Sequence, residues 1–399
     1  MKKKTTWGSA LMLAALAVVA TFNITFYVAS EYYRARLGDF DKLEAEYKDF
    51  KELANLVDKY FVGEYDKEMM MGEALKGYIQ GTGDQWSSYL TEEEYQDLLE
   101  RRERVYAGVG ITISAGTEDS YYVITAVTEG SPAEKAGVQV LDLLAAVDGQ
   151  SVADMTYDDL NDRVKGEQGT EVELTILREG VSQKLTLTRE EVQTPGVKAQ
   201  MLENQIGLIR IESFSRNVDG EFEQKLQDLL DQGAQALVFD VRFNPGGFVD
   251  VLVNMLDLLL PKGAIISITD KEGQSTTYSS NEACVELPMA VLCNEYSISA
   301  AEFFAASLQE YGAATVVGGH TLGKGYAQTL IPLSGGGAVN LSTSRYYTAK
   351  GVSLAGVGIA PDVEAELSEE KLANFYTLTP EEDDQLQTAL TLLQEQLGD

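Results

Sequence analysis

Residues 294–328 place a helix between two strand-like segments, and this order limits how the chain of 399 residues can fold. An apolar run at 289–292 precedes the stretch, and apolar residues recur at helical spacing over residues 301–308. Gly312 ends the predicted helix, and a β-branched run follows at 314–317. Strands that alternate with helices in this way predict an α/β core.

Ser299 stands where the predicted helix begins. The unpaired N–H groups of a first turn and the positive end of the helix dipole can stabilise a developing negative charge, so a hydroxyl here suits a nucleophile. The spacing between Ser299 and Glu302 is also that of a capping box, in which the serine only caps the helix. The local pattern leaves both interpretations open.

A serine nucleophile needs a base to take its proton. The single histidine is His320, so a Ser-His hydrolase would have to use it. The other candidate is Lys324, which lies between two glycines. Burial lowers the pKa of a lysine, and a neutral amine can accept the serine proton. On a strand over 326–330, Gln328 could orient that amine, although a Gly-Lys-Gly segment can equally form a surface turn.

The order of these residues resembles a known family. Ser-x-Ser-Ala-x-Glu at 297–302, followed by Thr-x-Gly-Lys-Gly-x-x-Gln at 321–328, is similar to the carboxyl-terminal processing peptidases, also called tail-specific proteases. The resemblance implies a serine peptidase with a Ser-Lys dyad. In it, Ser299 would be the nucleophile, Lys324 the general base, and Gln328 the partner that orients the base.

A second part of the same signature lies at 240–247, which reads Asp-Val-Arg-Phe-Asn-Pro-Gly-Gly. Proline and glycine make a tight turn here after a predicted strand at 236–241, and glycines leave backbone N–H groups exposed. By resemblance, Gly246 or Gly247 donates to the oxyanion together with the N–H of Ala300. The sequence does not decide between the two glycines, and the plain alternative is a turn from strand to helix.

Residues 105–190 change to strand-like alternation interrupted by turns. The run Gly-Ser-Pro-Ala-x-x-Ala-Gly at 130–137, followed by Asp142 and Val-Asp-Gly at 147–149, resembles a PDZ domain. Such a domain binds an extended peptide as an added strand and holds the terminal carboxylate on backbone N–H groups. The apolar residues of the carboxylate loop would receive an apolar terminal side chain. By resemblance the loop consists of Gly108, Val109, Gly110 and Ile111.

Three lysines at 2–4 precede an uncharged run at 7–30. About 20 apolar residues span a bilayer as a helix, and the positive-inside rule keeps lysines in the cytoplasm. We therefore expect a transmembrane anchor within residues 1–30 and a single-pass protein of the cell membrane whose catalytic part is extracytoplasmic. A protein secreted after cleavage of a signal peptide at 28–30 is the alternative.

The expected fold is thus an α/β peptidase core of mixed sheets and helices, with a PDZ domain, a helical N-terminal region and an N-terminal transmembrane helix. The helices near the two ends would suit a homodimer. After the anchor, the predicted order is a helical region at 31–104, the PDZ domain at 105–190, the Ser-Lys peptidase core at 195–366, and a C-terminal helical tail at 367–399.

Composition limits the possible partners. The net charge of −32 argues against nucleic acid, because phosphates would be repelled. No zinc-type cluster of cysteine and histidine is present in the sequence, so we expect neither a metal nor a cofactor. Cys284 and Cys293 could close a small disulfide loop in an oxidising compartment or stay free.

The predicted function is that of a serine endopeptidase that cleaves extracytoplasmic proteins near their C termini. Its partners would be proteins or peptides with apolar C-terminal tails, and it would contact the membrane through the anchor. A catalytically silent PDZ scaffold that binds tails at the membrane is the alternative from another functional class.

Overall fold

The structure is a computed structural model that describes residues 44–115, 121–281 and 284–398. The chain divides into two compact units, residues 1–70 and 71–399. The predicted anchor and the predicted signal peptide, both within residues 1–30, lie outside the described residues. Within the described ranges, no helix combines the length and the apolar character needed to cross a membrane.

The described residues before the PDZ domain, 44–104, are mostly helical and also contain one short strand. The strand follows a turn at 83–87, and the next helix leads into the PDZ domain. The elements of this region are α1 (Lys48–Tyr60), α2 (Lys67–Gln80), β1 (Ser88–Leu90) and α3 (Glu92–Glu103).

The PDZ domain is an antiparallel sheet in the order β3-β4-β5-β7-β8, with β6 beside β5 and a separate β2–β9 pair. Its fully buried core includes Val109, Leu144 and Leu174. Asp142, the residue singled out in the sequence, pairs with Arg178 at 2.7 Å. The elements are β2 (Val105–Gly108), β3 (Ile111–Ala115), β4 (Tyr122–Val127), α4 (Pro132–Lys135), β5 (Leu143–Val147), β6 (Gln150–Ser151), α5 (Tyr157–Val164), β7 (Glu171–Arg178), β8 (Val181–Thr188) and β9 (Glu190–Gln193).

The peptidase core combines a six-stranded sheet and a five-stranded sheet with helices, so the predicted mixed α/β architecture is confirmed. Its elements are β10 (Val197–Met201), β11 (Ile206–Ile211), α6 (Val218–Asp231), β12 (Ala236–Asp240), α7 (Val249–Asp257), β13 (Gly263–Asp270), β14 (Ser275–Ser280), β15 (Met289–Cys293), α8 (Ala300–Tyr311), β16 (Ala314–Gly318), β17 (Tyr326–Pro332), β18 (Ala338–Thr348), β19 (Val363–Glu364), α9 (Glu369–Ala373) and α10 (Asp384–Gly398).

The six-stranded sheet has the order β10-β11-β12-β15-β16-β19 and is parallel except at β10. Parallel strands need apolar cover on both faces, which explains why β12 and β15 are buried at every position. The main apolar cluster lies on one face, against α6, α7 and α8. On the other face, Leu386, Ala389 and Leu393 of α10 join a second cluster with the strands, so the predicted C-terminal helix packs on the core sheet.

The five-stranded sheet is antiparallel, with β18 at its centre between β13 and β17 and with β1 also paired to β18. The pairing of β17 with β18 shifts register between Ala327 and Gln328. A shift of this kind is a β-bulge, which re-aims the side chains that follow it. Through β1, the region before the PDZ domain reaches this sheet.

Strand order brings two loops of the signature together. β12 and β15 are parallel neighbours, with Asp240 opposite Leu292, so the turn after β12 and the loop after β15 emerge at one edge of the sheet. Helix α8 is fixed behind that edge by Phe304, whose ring lies 5.6 Å from that of Phe239 and 5.8 Å from that of Phe214. Replacing a buried phenylalanine of this kind by alanine costs about 3–5 kcal/mol.

Candidate active site

Ser299 lies at the start of α8 in a backbone conformation that non-glycine residues rarely adopt, with φ of 58° and ψ of −115°. Such a conformation costs about 1–3 kcal/mol and occurs mostly at functional sites. The residue is 8% exposed, and its N–H donates to Oε2 of Glu302 at 2.8 Å. The conformation therefore distinguishes Ser299 from an ordinary helix cap, whose backbone is extended.

Glu302 ties the start of α8 to the loop that carries Lys324. Its carboxylate is fully buried, and four donors surround it. Oε2 accepts from the N–H of Ser299 and from the N–H of Lys324 at 2.9 Å. Oε1 accepts from the N–H of Gly323 and from the hydroxyl of Thr321, both at 2.7 Å. Both proposed dyad residues are thus fixed to one side chain.

The glycines beside Lys324 allow the backbone to approach a neighbouring loop closely. A Cβ on Gly325 would lie 2.3 Å from the backbone nitrogen of Ala355, and one on Gly323 would lie 2.8 Å from that of Val357. These distances are too short for any side chain. The Gly-Lys-Gly segment is therefore packed against a neighbouring loop and is not an open surface turn.

The side chain of Lys324 is half-buried near other charged groups. Burial lowers the pKa of Lys324, and the positive charge of Arg102 lowers it further, against the opposing effects of Glu302 and Asp84. The amine nitrogen lies 5.1 Å from the ring centre of Trp86. The direction of this pKa is the one that a lysine base requires.

Among the described residues, Gln328 makes no hydrogen bond to Lys324. Its side-chain amide donates to the backbone carbonyl of Trp86 at 2.9 Å. The bulge between Ala327 and Gln328 breaks the simple alternation along β17 from which the orientation of Gln328 was predicted. In the described ranges, no hydrogen bond joins the Lys324 amine to Gln328 or to the hydroxyl of Ser299.

The turn after β12 lies against Ser299. Gly246 has a φ of +91°, and a Cβ there would lie 2.7 Å from the carbonyl of Ile298 and 2.9 Å from the Cβ of Ser299. The N–H of Gly246 already donates to Oδ1 of Asn244 at 2.8 Å. Among the described residues, the N–H groups of Gly247 and Ala300 have no acceptor, so they are the available donors.

Arg242 anchors the same turn from behind. Its guanidinium binds Asp240 at 2.8 Å, Asp383 at 2.6 Å and the side-chain oxygen of Gln385 at 2.8 Å. Burial disfavours the Arg242 cation, but the two carboxylates outweigh it and raise its pKa above the ordinary value. Arg242 therefore stays charged and links the turn to the start of α10.

The PDZ domain has a groove between β3 and α5. A cavity of about 270 Å³ is lined there by Ile111, Ile113, Tyr157 and Val164, among other residues. Val109 is fully buried in the PDZ core and does not line this cavity. Of the two apolar loop residues singled out in the sequence, Ile111 alone faces the groove.

Gly108 and Gly110 shape the loop between β2 and β3. Gly110 has a φ of +84°, and a Cβ there would lie 2.2 Å from the Cβ of Ser131. Its carbonyl accepts from the N–H of Thr128 at 2.9 Å. Gly108 ends β2, with the ring of Tyr106 packed above it. The predicted carboxylate loop is thus held in place from both sides.

Comparisons with known proteins agree with this geometry. The profile of peptidase family S41 matches residues 205–365, and a PDZ profile matches residues 123–178. A carboxyl-terminal-processing protease of Synechocystis sp. is 33% identical over 327 residues, which cover 80% of this chain and 76% of that protein. This chain belongs to the carboxyl-terminal processing proteases of peptidase family S41. It is a serine-type peptidase with a PDZ domain.

Two further comparisons support the assignment of this chain to the carboxyl-terminal processing proteases. The protein named carboxy-terminal processing protease CtpA of Bacillus subtilis (strain 168) is 32% identical over 90% of this chain and 76% of its own length. A solved structure from Bacteroides fragilis NCTC 9343, assigned to the S41 proteases, matches with a TM-score of 0.60. It is 18% identical and covers 80% of this chain and 90% of that one, so it supports the fold alone.

The alternative base and the two cysteines make none of the hydrogen bonds to Glu302 described above. His320 is exposed, and its Nδ1 lies 3.1 Å from the carbonyl of Thr321. Cys284 and Cys293 are both free thiols, so the possible disulfide is not formed. Burial raises the pKa of Cys293 to about 12, which makes it an unreactive thiol.

Three residues near Lys324 did not stand out as site residues in the sequence. Glu302 was interpreted only as part of a capping box. Its hydrogen bonds to the loop at 321–324 could not be seen in the sequence, because that loop approaches Glu302 only in the fold. Trp86 gave no local signal in the sequence. Arg102 gave no signal, because a charged residue on a polar helix is ordinarily solvent-exposed.

Proposed function

We propose that this carboxyl-terminal processing protease cleaves proteins near their C termini with a Ser-Lys dyad formed by Ser299 and Lys324. The main support is the shared attachment of both residues to Glu302, through N–H groups 2.8 and 2.9 Å from one oxygen. The lowered pKa of Lys324 adds to it, because a base must be neutral to accept a proton.

In the proposed mechanism, the hydroxyl of Ser299 attacks the scissile carbonyl while the neutral amine of Lys324 takes its proton. Lys324 then gives this proton to the leaving amine, which departs and leaves an acyl-enzyme. A water molecule, deprotonated by Lys324, hydrolyses the ester and releases the second product. The side-chain amide of Gln328 first releases the carbonyl of Trp86 and then orients the amine of Lys324.

The oxyanion would be stabilised by the N–H groups of Gly247 and Ala300. Both are without an acceptor in the described chain, whereas the N–H of Gly246 is occupied by Asn244. Removing one donor of this kind typically lowers kcat by about 100- to 1000-fold. Gly246 contributes in another way, because its lack of a side chain lets the turn approach Ser299.

We also propose that the PDZ groove receives apolar C-terminal tails, with Ile111 in contact with the last side chain. A charged terminal side chain would meet the apolar side chains of Ile111, Ile113 and Val164, although Glu100, Arg104 and Lys165 also line the cavity. The extracytoplasmic location, the anchor within residues 1–30 and a homodimer belong to the same proposal. They rest on the sequence pattern given above.

The test is labelling by a serine-reactive phosphonate, combined with mass spectrometry of cleavage products from a protein with an apolar tail. Ser299→Ala should lose both the label and the cleavage. Ser368→Ala is the matched control, because Ser368 also caps a helix and accepts from the N–H of Lys371 at 3.3 Å. Cleavage by the Ser299→Ala protein would refute the proposal, and binding of tails without label or cleavage would favour the silent scaffold.

A further inference from the structure

Trp86 lies in a turn that is firmly held against the five-stranded sheet. Asp84 accepts from the N–H of Trp86 at 3.2 Å and from the hydroxyl of Ser87 at 2.5 Å. The same hydroxyl accepts from the N–H of Ser342 on β18 at 2.9 Å. The turn is therefore attached to the strand beside β17, and its position is fixed relative to the residues that β17 carries.

The ring and the backbone carbonyl of Trp86 each contact a proposed site residue. The indole ring lies 5.1 Å from the amine nitrogen of Lys324, within the range in which an aromatic face attracts a cation. The backbone carbonyl accepts the side-chain amide of Gln328 at 2.9 Å. One residue thus binds both the proposed base and the residue proposed to orient it.

These contacts favour a resting arrangement. An aromatic face attracts the ammonium form of a lysine and not the neutral amine, so the ring opposes loss of the proton. The amide of Gln328 is turned to Trp86, and within the described residues it does not reach the amine. We propose that Trp86 is a positioning residue that holds the charged form of Lys324 and the side chain of Gln328 together until the site becomes active.

The other charged groups that act on Lys324 lie on three different elements. Arg102 of α3 repels the ammonium, whereas Glu302 of α8 and Asp84 of the turn attract it. None of these is altered by a change at Trp86. Replacing only the ring therefore isolates its contribution to the protonation of Lys324.

Trp86→Leu is the most informative variant, because leucine keeps an apolar cover over the amine but has no aromatic face. Trp86→Phe keeps a ring and should have a smaller effect, and it also serves if the leucine variant does not fold. Tyr60→Leu is the control, since it removes a ring 4.8 Å from a different lysine, Lys59.

The first measurement needs no activity. The full chain carrying Ser299→Ala and ε-¹³C-labelled lysine is titrated by NMR, and the Lys324 signal is assigned with Lys324→Arg. We expect Trp86→Leu to lower the pKa of Lys324 by about 0.5 to 1.5 units, which corresponds to a cation–π contact in a partly desolvated site. An unchanged pKa in both Trp86 variants would overturn the proposal.

The second measurement is the pH profile of kcat/KM for a short peptide, in the protein that retains Ser299. The basic limb should move to lower pH by the same amount in Trp86→Leu, and activity below the limb should rise by up to about 3- to 30-fold.

This inference takes Lys324 as the base, and so it rests on the proposed function. If the NMR pKa moves but the limb does not, the role of Trp86 stands and the proposed base is wrong. If the basic limb of kcat/KM coincides with the NMR pKa of Lys324, but Trp86→Leu shifts neither the limb nor the pKa, Lys324 is the base and Trp86 does not influence its protonation.

Discussion

Ser299 and Lys324 are joined through a single oxygen atom, since both backbone nitrogens lie within 2.9 Å of Oε2 of Glu302. The start of α8 and the loop before β17 therefore form one unit, although 22 residues separate Glu302 from Lys324 along the chain. A change in the position of one proposed dyad residue must move the other or break a charge-assisted hydrogen bond.

Glu302→Gln should lower both stability and activity. Glutamine has one acceptor oxygen, so its NH₂ group would face N–H donors in a fully buried site. The loss should be about 3 kcal/mol in the free energy of unfolding, because hydrogen bonds to a charged group contribute roughly 1.5–3 kcal/mol each. Urea denaturation measures it. Glu310→Gln, on the same helix but only partly buried, should cost less, and an equal cost would contradict this account.

Replacing Ser299 by alanine or by glycine should abolish cleavage, because either change removes the nucleophile. The two variants should differ in stability. Alanine keeps the unfavourable backbone at φ of 58°, whereas glycine adopts it readily, so Ser299→Gly should be more stable than Ser299→Ala by about 1 kcal/mol. Thermal unfolding compares them, and a less stable glycine variant would show that the backbone conformation is not strained.

Arg102→Gln should raise the pKa of Lys324, because a neighbouring positive charge that disfavours the ammonium is removed. A raised pKa means that less neutral amine is present at a given pH. The basic limb of kcat/KM should therefore move to higher pH, with lower activity below it. Arg102 and Arg216 both lie over the ring of Phe248, at 5.8 and 3.9 Å, but only Arg102 acts on Lys324. Arg216→Gln is therefore a matched control. An equal shift in both variants would exclude a specific role for Arg102.

Gly246→Ala should inactivate the enzyme. Its Cβ would lie 2.7 Å from the carbonyl of Ile298, and φ of +91° is unfavourable for alanine. The turn would have to move away from Ser299. Gly220→Ala is the control, because no atom lies within 4 Å of the added Cβ on helix α6, and it should stabilise the protein by about 0.5–1 kcal/mol. Peptide hydrolysis and unfolding are measured on both, and an active Gly246→Ala protein would remove the turn from the site.

Ile111→Asp should weaken cleavage of substrates that end in Ala, Val or Leu, because a carboxylate would replace an apolar side chain that lines the groove. Val109 is not a suitable position for this test, since its burial means that an aspartate there would unfold the PDZ domain. Short peptides that enter the core directly should be less affected. Equal kcat/KM for tailed proteins before and after the change would show that the groove does not recognise tails.

The core strands could be predicted because fully buried strands are continuous apolar runs. The strand predicted at 236–241 is β12, which is one residue shorter, and the run at 289–292 is β15 with one further residue. The direction of Gln328 could not be predicted in this way. Alternation assumes regular pairing, and the bulge beside Ala327 depends on the partner strand.

The parts of the site that the sequence did not indicate are contacts between distant segments. Trp86 and Gln328 are 242 residues apart in the sequence, and local periodicity cannot reveal a contact between residues so far apart. The same holds for the effect of Arg102 on Lys324. Local patterns singled out the candidate dyad residues and the turn, whereas the contacts that act on their protonation and direction could be found only from the fold.

The contact between Arg242 and Asp383 spans 141 residues, and it has a consequence for how the protein is made. During synthesis, Arg242 emerges long before Asp383 and Gln385, which complete its set of partners. Until then the guanidinium has Asp240 alone, and the face of the sheet that α10 covers stays open to water. The turn that lies against Ser299 therefore gains its full set of partners only after residues 383–385 have been synthesised.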